Sequence, residues 1–257
     1  MTAPSSTSAA RFGSHAGTVI TVAPTGAHAK SEVAGLPVSA EEVAGAAADC
    51  ERVGAAVLDL QPRHDTALPD VVAAVHARTG LIVRVAAYAR SEALETLLDS
   101  GADVLTCPLD APGDFVADLR AGARTRGLEV HYEARDLSHL ATLRHLQGED
   151  PVHAVLIFGG SNGMPGDIGT LSAALAELPQ GATFSATGVG ETSLPIMLAT
   201  IAAGGHVRVG MADTLAYSDG VEVRDNTQLA ARAAGVAKIA QRPPLPPAQA
   251  REALGLT

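Results

Sequence analysis

Short apolar runs alternate about eight times with longer segments of helical periodicity along this chain. The runs at 18–23, 55–60, 81–86, 104–106, 128–133, 152–158, 182–186 and 206–209 read as strands that are apolar on both faces, as strands covered on both sides must be. Each is followed by a segment whose apolar positions fall on one helix face: 39–53, 67–78, 91–100, 112–126, 137–147, 168–178, 193–203 and 226–240. Helix starts carry caps; Ser39 with Glu42 has the spacing of a capping box. Eight βα units in series predict a closed (β/α)8 TIM barrel rather than an open sheet. An open doubly wound sheet would mark its first turn with G-x-G-x-x-G, and PTGAHAK at 24–30 has no such pattern. Pro243, Pro244, Pro246 and Pro247 then interrupt the chain before a short helix over 248–254. The expected organisation is a mobile tail over 1–16 and one barrel domain over 17–257 that includes this Pro-rich end.

Composition narrows the partners. With 257 residues, 47% of them hydrophobic, the chain can bury one large core. A net charge of −10 without a Lys/Arg cluster argues against nucleic acid or an anionic membrane as partner. An anionic ligand must then be held by a few placed arginines. No stretch approaches the ~18 uninterrupted apolar residues of a membrane span, and the Ser/Ala-rich start lacks a signal-peptide core. Cys50 and Cys107 are too few for a disulfide framework, so reduced thiols and a cytoplasmic location are expected.

In a parallel barrel the carboxyl ends of the strands converge on one mouth, which nominates candidate residues by position. Around the ring these are Thr25, His28 and Lys30; Asp59, Gln61, Arg63, His64 and Asp65; Arg84 and Tyr88; Thr106 and Cys107; Glu133, Arg135 and Asp136; Ser161 and Asn162; Thr187 and Glu191; Arg208 and Asp213. The most informative stretch is GGHVRVGMAD at 204–213, a short strand that leaves Arg208 and Asp213 near its carboxyl end with Gly210 as the turn between them. Some of these residues have a purely structural reading; Asp136, just before the helix at 137, reads as a cap.

Several segments resemble the β-keto acid cleavage enzymes, the family that includes 3-keto-5-aminohexanoate cleavage enzyme. They are TVAPTGAHAK at the first strand, LPVSAEEVAGAAADCERVGAAVLDLQPRHD through the second, LEVHYEARDLSHL at the fifth, FGGSNGMPG after the sixth, ATGVG after the seventh, GGHVRVGMAD at the eighth, and the AREALGL ending. The resemblance implies a (β/α)8 barrel in a homo-oligomer, a dimer or tetramer. It also implies a zinc-dependent reaction in which a β-keto acid and acetyl-CoA give acetoacetate and a new CoA ester.

The metal motif departs from that pattern. The family carries His-x-His at the end of the second strand and Glu-Asp after the eighth, two histidines and the glutamate binding zinc; here Asp59, Gln61 and Ala212 stand at those three positions. Strand alternation puts Asp59 and Gln61 on one face. Asp59 could ligate zinc, Gln61 is a poor ligand and Ala212 is none, whereas a catalytic zinc site takes three protein ligands. The expectation is therefore no zinc site, with one rebuilt from His28, Asp59, His64 or Asp65, Asp59 and His64 foremost, as the alternative.

Other positions persist. By the resemblance, Glu133 is a general base or orienter, Arg208 positions the substrate carboxylate, Asp213 stands beside the lost glutamate, and Thr106 falls at a family threonine. A guanidinium can grip a carboxylate with two parallel hydrogen bonds. Without zinc, Arg208 and either Arg63 or Arg84 would stabilise an enolate by hydrogen bonds alone. The glycine-rich 158–166 loop, with Gly159, Gly160 and Ser161, reads either as a backbone nest near CoA or as a plain turn. Lys30 and Lys238 lie off the barrel strands, which disfavours a Schiff base. Two functions follow. One is a C–C bond lyase or acyltransferase acting on a small β-keto carboxylate, with acetyl-CoA as candidate co-substrate and zinc altered or absent. The other is an inactive barrel that binds a carboxylate or CoA ester or partners an active relative.

Overall fold

The structure is a computed structural model that describes residues 17–33, 35–64, 66–87, 94–147 and 152–256. The expected tail, Asp65, Tyr88 and the start of the third helix lie outside the described residues.

Eight parallel strands close into a ring in chain order: β1 (Ile20–Val22), β2 (Val57–Leu60), β3 (Ile82–Ala86), β4 (Val104–Pro108), β5 (Glu129–Ala134), β6 (His153–Gly159), β7 (Thr183–Val189) and β8 (His206–Val209). β8 pairs back onto β1 through Thr21 and Arg208, so the barrel expected from the alternation is the fold. The helices α1 (Ala40–Arg52), α2 (Leu68–His76), α3 (Leu94–Leu98), α4 (Gly113–Arg126), α5 (His139–Leu146), α6 (Ile168–Glu177), α7 (Ser193–Ala202) and α8 (Asn226–Ile239) each follow a strand, and α9 (Pro247–Ala253) ends the chain. The capping box forms at α1: the Glu42 amide donates to Ser39 Oγ, and the Ser39 amide donates to the Glu42 carboxylate.

β6 and β7 run past their apolar stretches because their ladder continues to the pair Gly159 and Val189. A small antiparallel hairpin, β9 (Ala216–Ser218) with β10 (Val221–Glu222), was not expected from the apolar pattern. Its signal is Asp219-Gly220, a hairpin turn pair in which Gly220 takes φ +68°. Among the described residues, no helix is long and apolar enough to cross a membrane.

Strand alternation divides the core in two. Leu58, Val83, Leu105, Leu156 and Phe158 pack outward with Val43, Val72, Leu119, Leu140 and Leu171 of the helices. At the amino-terminal floor, Val19, Val57, Ile82 and Val104 pack against Ala250 and Ala253 of α9 and against Leu256. Arg251 fastens that plug with Nη2 donating to Asp103 Oδ1 at 2.6 Å. Above the floor the interior becomes polar: Asp59, Arg84, Thr106, His131, Glu133, His153, Ser185, His206 and Arg208 are all buried.

Three imidazoles form the lower part of this polar layer. The His153 ring lies 4.4 Å from that of His131 and 6.2 Å from that of His206, centre to centre. His153 hydrogen-bonds Thr183 Oγ1 at 2.8 Å and Ser185 Oγ at 3.0 Å, and His206 Nδ1 accepts the Val19 amide at 3.0 Å. Burial, aided for His131 by the Arg84 charge, holds His131 and His153 well below the usual imidazole range.

Candidate active site at the barrel mouth

β8 supplies the central group. Arg208 is its third residue and points inward; Gly210 then turns the chain with φ +147°, and the turn brings Asp213 back beside the guanidinium. A side chain at 210 would put its Cβ 2.0 Å from the Ala23 carbonyl oxygen, so only glycine fits this close approach to β1. Arg208 Nε donates to Asp213 Oδ2 at 3.0 Å and Nη2 to Asp213 Oδ1 at 2.7 Å, a two-pronged grip. Thr187 Oγ1, from β7, donates to Asp213 Oδ2 at 3.1 Å.

The third prong of Arg208 reaches β2, where Nη1 donates to Asp59 Oδ2 at 3.0 Å. That oxygen also accepts Arg84 Nη2 at 2.7 Å, from the residue paired with Asp59 across the β2–β3 ladder. Burial would push the Asp59 carboxyl up, but the guanidiniums of Arg84 and Arg208 outweigh it and hold the group below its ordinary value. Their carboxylate partners raise Arg208 against its own burial, so it stays charged. Glu133, at the end of β5, lies 3.9 Å from Arg208 Nη1 and accepts Arg135 Nε at 2.8 Å.

These groups surround a cavity of about 390 Å³, counting its open mouth, lined by Asp59, Gln61, Thr106, Glu133, Arg135 and Arg208 together with Ala23, Ala86, Ala87 and Pro108. Six of the residues nominated from sequence thus meet in one place: Asp59, Gln61, Thr106, Glu133, Arg135 and Arg208. Asp213 sits behind Arg208 and Arg84 beneath Asp59; neither lines the cavity. Arg63 donates to the carbonyls of Gly26 and His28 at 3.1 and 3.0 Å, pinning the loop after β1, and lines an adjoining cavity with Thr25, Asp59 and Gln61. Gly159, Gly160 and Ser161 rise at the end of β6 on the same face but do not line the central cavity. Close packing accounts for part of that loop's glycine content: a Cβ at Gly163 would lie 2.4 Å from the Gly159 carbonyl oxygen. Lys30 pairs with Glu42 at the surface. Cys107 faces the outer core, where burial pushes its thiol up to about 12.

The donor set does not fit a divalent metal. Asp59 spends one oxygen on two guanidiniums, Ala212 has no donor atom, His64 is exposed, and no group of three His, Cys, Asp or Glu among the described residues could hold an ion. Of the rebuilt alternative, Asp59 is engaged by Arg84 and Arg208 and His64 is exposed, while Asp65 lies outside the described residues.

Sequence reasoning passed over His131, His153 and the pairing partner of Arg84. The available signal was parity: His131 is two residues before Glu133 and His206 two before Arg208, so all four share the inward face. Four adjacent strands also carry unpaired buried polar atoms, namely Asp59 Oδ1, Arg84 Nε, Thr106 Oγ1 and both ring nitrogens of His131.

A family model described as beta-keto acid cleavage enzyme matches residues 17–256. A 3-dehydrocarnitine:acetyl-CoA trimethylamine transferase of Rhizobium meliloti (strain 1021) is 33% identical over 157 residues, 56% of this chain and 52% of the relative. A 3-keto-5-aminohexanoate cleavage enzyme of Acetoanaerobium sticklandii is 30% identical over 118 residues, 46% of this chain and 42% of that protein. The matched part spans about half the length of these relatives. Among solved structures, the apo structure of ObcA superposes with a TM-score of 0.72 at 14% identity over 86% of this chain and 66% of its own, a likeness of fold.

Proposed function

This chain belongs to the β-keto acid cleavage enzyme family, and from that premise we propose that it cleaves or re-forms a C–C bond of a small β-keto carboxylate, with acetyl-CoA as co-substrate. The observation that carries the reading is the convergence of Arg208, Glu133 and Asp59 on one cavity at the carboxyl ends of the strands. A guanidinium has five N–H donors. Arg208 commits three of them, two to Asp213 and one to Asp59, which leaves two for a ligand oxygen. Those donors hold the substrate carboxylate or the charge that develops on the carbonyl oxygen as the bond breaks. Glu133 moves the proton, with Arg135 orienting its carboxylate. Asp213 and Asp59 fix the plane of Arg208. Gln61 and Thr106 complete the polar wall, Arg63 steadies the neighbouring loop, and the loop at Gly159, Gly160 and Ser161 borders the CoA. No step is assigned to zinc, because the residues at the metal positions do not fit it. A cytoplasmic homo-oligomer remains part of the proposal.

A second reading has its own support. Arg84, Arg135 and Arg208 are balanced by Asp59, Glu133 and Asp213, so the mouth is a closed charge network of the kind a barrel that only binds a ligand could keep for rigidity. One experiment separates the two. Purified protein is incubated with acetyl-CoA and a panel of β-keto acids, and acetoacetate is measured. Turnover on any member supports the enzyme; calorimetric binding of a β-keto acid without turnover across the panel supports the binding barrel, with Arg208→Ala abolishing the binding.

A further inference from the structure

We propose that Arg84 is the resident cation of this mouth: its guanidinium takes the electrostatic place of a divalent metal and, through Asp59, positions Arg208 for an anionic ligand. The inference rests on the mouth being the ligand site proposed above. Arg84 is 1% exposed and heads the fully buried side chains by size. A guanidinium is costly to bury and persists only where a carboxylate compensates it. Here the compensating group is Asp59, on the neighbouring strand at the paired register position, with Nη2 to Oδ2 at 2.7 Å.

Charge bookkeeping shows what Arg84 does. Asp59 and Asp213 both draw on the single guanidinium of Arg208. Without Arg84 those three groups carry a net negative charge in a buried setting, next to the carboxylate of Glu133. An anionic ligand would then be repelled, and Asp59 would compete with it for the Arg208 donors. With Arg84 present the four groups are neutral, and Asp59 leans on two cations instead of one. A metal on the same carboxylate oxygen, at a bond length of roughly 2 Å, would sit within a few ångströms of both guanidiniums, where repulsion in a low-dielectric interior is severe. Arg84 and a divalent ion are therefore alternatives. Arg84 does not line the cavity, so it is a positioning residue that acts through Asp59.

Two measurements decide it. In the first, zinc is titrated calorimetrically into chelator-treated wild-type protein. The expected result is no stoichiometric binding at micromolar zinc, with a thermal midpoint that is the same with and without chelator. Stoichiometric zinc that raises the midpoint overturns the proposal, and this readout is independent of turnover. In the second, acetoacetate binding is compared among wild type, Arg84→Lys and Arg84→Met. If Arg84 acts by its charge, Met weakens binding about tenfold or more while Lys stays within about threefold of wild type. Equal weakening in two folded variants would mean that only the shape of the side chain matters, and would also overturn it. If Arg84→Met does not fold, or wild type does not bind acetoacetate, the zinc titration still decides; the second of those results counts against the proposed substrate class rather than against Arg84.

Discussion

Arg208 and Asp213 stand five residues apart in sequence yet are joined by two parallel hydrogen bonds of 3.0 and 2.7 Å across the turn at Gly210. The pair fixes the plane of the guanidinium, so the direction of its remaining N–H groups is set by backbone geometry rather than by the ligand. Predetermined donors of this kind need no reorganisation as charge develops.

Arg208→Lys keeps the charge and removes the fork. Stability is expected to fall by about 1–3 kcal/mol, as for a buried charged hydrogen bond lost. Affinity for a β-keto carboxylate is expected to fall about tenfold or more, a loss of roughly 1.4 kcal/mol. Urea denaturation and calorimetry read the two effects; unchanged affinity would remove Arg208 from the ligand site.

Gly210→Ala tests the turn itself. The new Cβ would meet the Ala23 carbonyl oxygen at 2.0 Å, at a backbone angle that side chains rarely adopt. A loss of at least about 2 kcal/mol is expected from strain alone, together with displacement of Asp213 and loss of ligand binding. A variant with the wild-type urea midpoint would contradict the close approach of β8 to β1.

Glu133→Gln preserves the shape and an oxygen that can still accept from Arg135. The unfolding midpoint should therefore move little, while kcat on an accepted β-keto acid falls about 10²–10⁴-fold. Retention of the wild-type rate would leave Glu133 as the anchor of Arg135 and nothing more.

The buried imidazoles predict acid lability. His131 and His153 are neutral in the folded barrel and titrate well below 6.5, whereas in the unfolded chain they take up protons near that value. Below about pH 6.5 the unfolded state binds more protons, so stability falls as pH falls toward the folded-state values, by up to about 1.4 kcal/mol per pH unit for each histidine. Urea midpoints between pH 7.5 and 5 should show this slope, and His131→Leu should reduce it. A flat profile in that window would mean that both rings take up protons in the folded barrel just as they do in the unfolded chain.

The barrel was legible because its evidence is repeated: each strand is a short apolar run and each helix a periodic one, and eight repetitions leave little room for another topology. The mouth was legible by position, since a strand end such as Asp59 or Glu133 can be located once the strand is. What stayed hidden depends on pairing across strands. Arg84 reads as a polar interruption of β3, and only the β2–β3 register shows that it faces Asp59. His131 and His153 are hidden for the same reason, because an imidazole inside an apolar run gives no sign of which neighbour it meets. The β9–β10 hairpin escaped because its strands are three and two residues long, too short for alternation to register.

The ring joins its first strand to its last, and its floor is laid by the final helix. During synthesis β1 therefore waits with an unmatched edge while every other strand emerges, for roughly 10–50 s at ordinary translation rates. Until β8 is made, β1 can pair only on its β2 side, as an edge strand of an open sheet does. A raw border of that kind is a template for pairing with another copy, and closing the ring removes it.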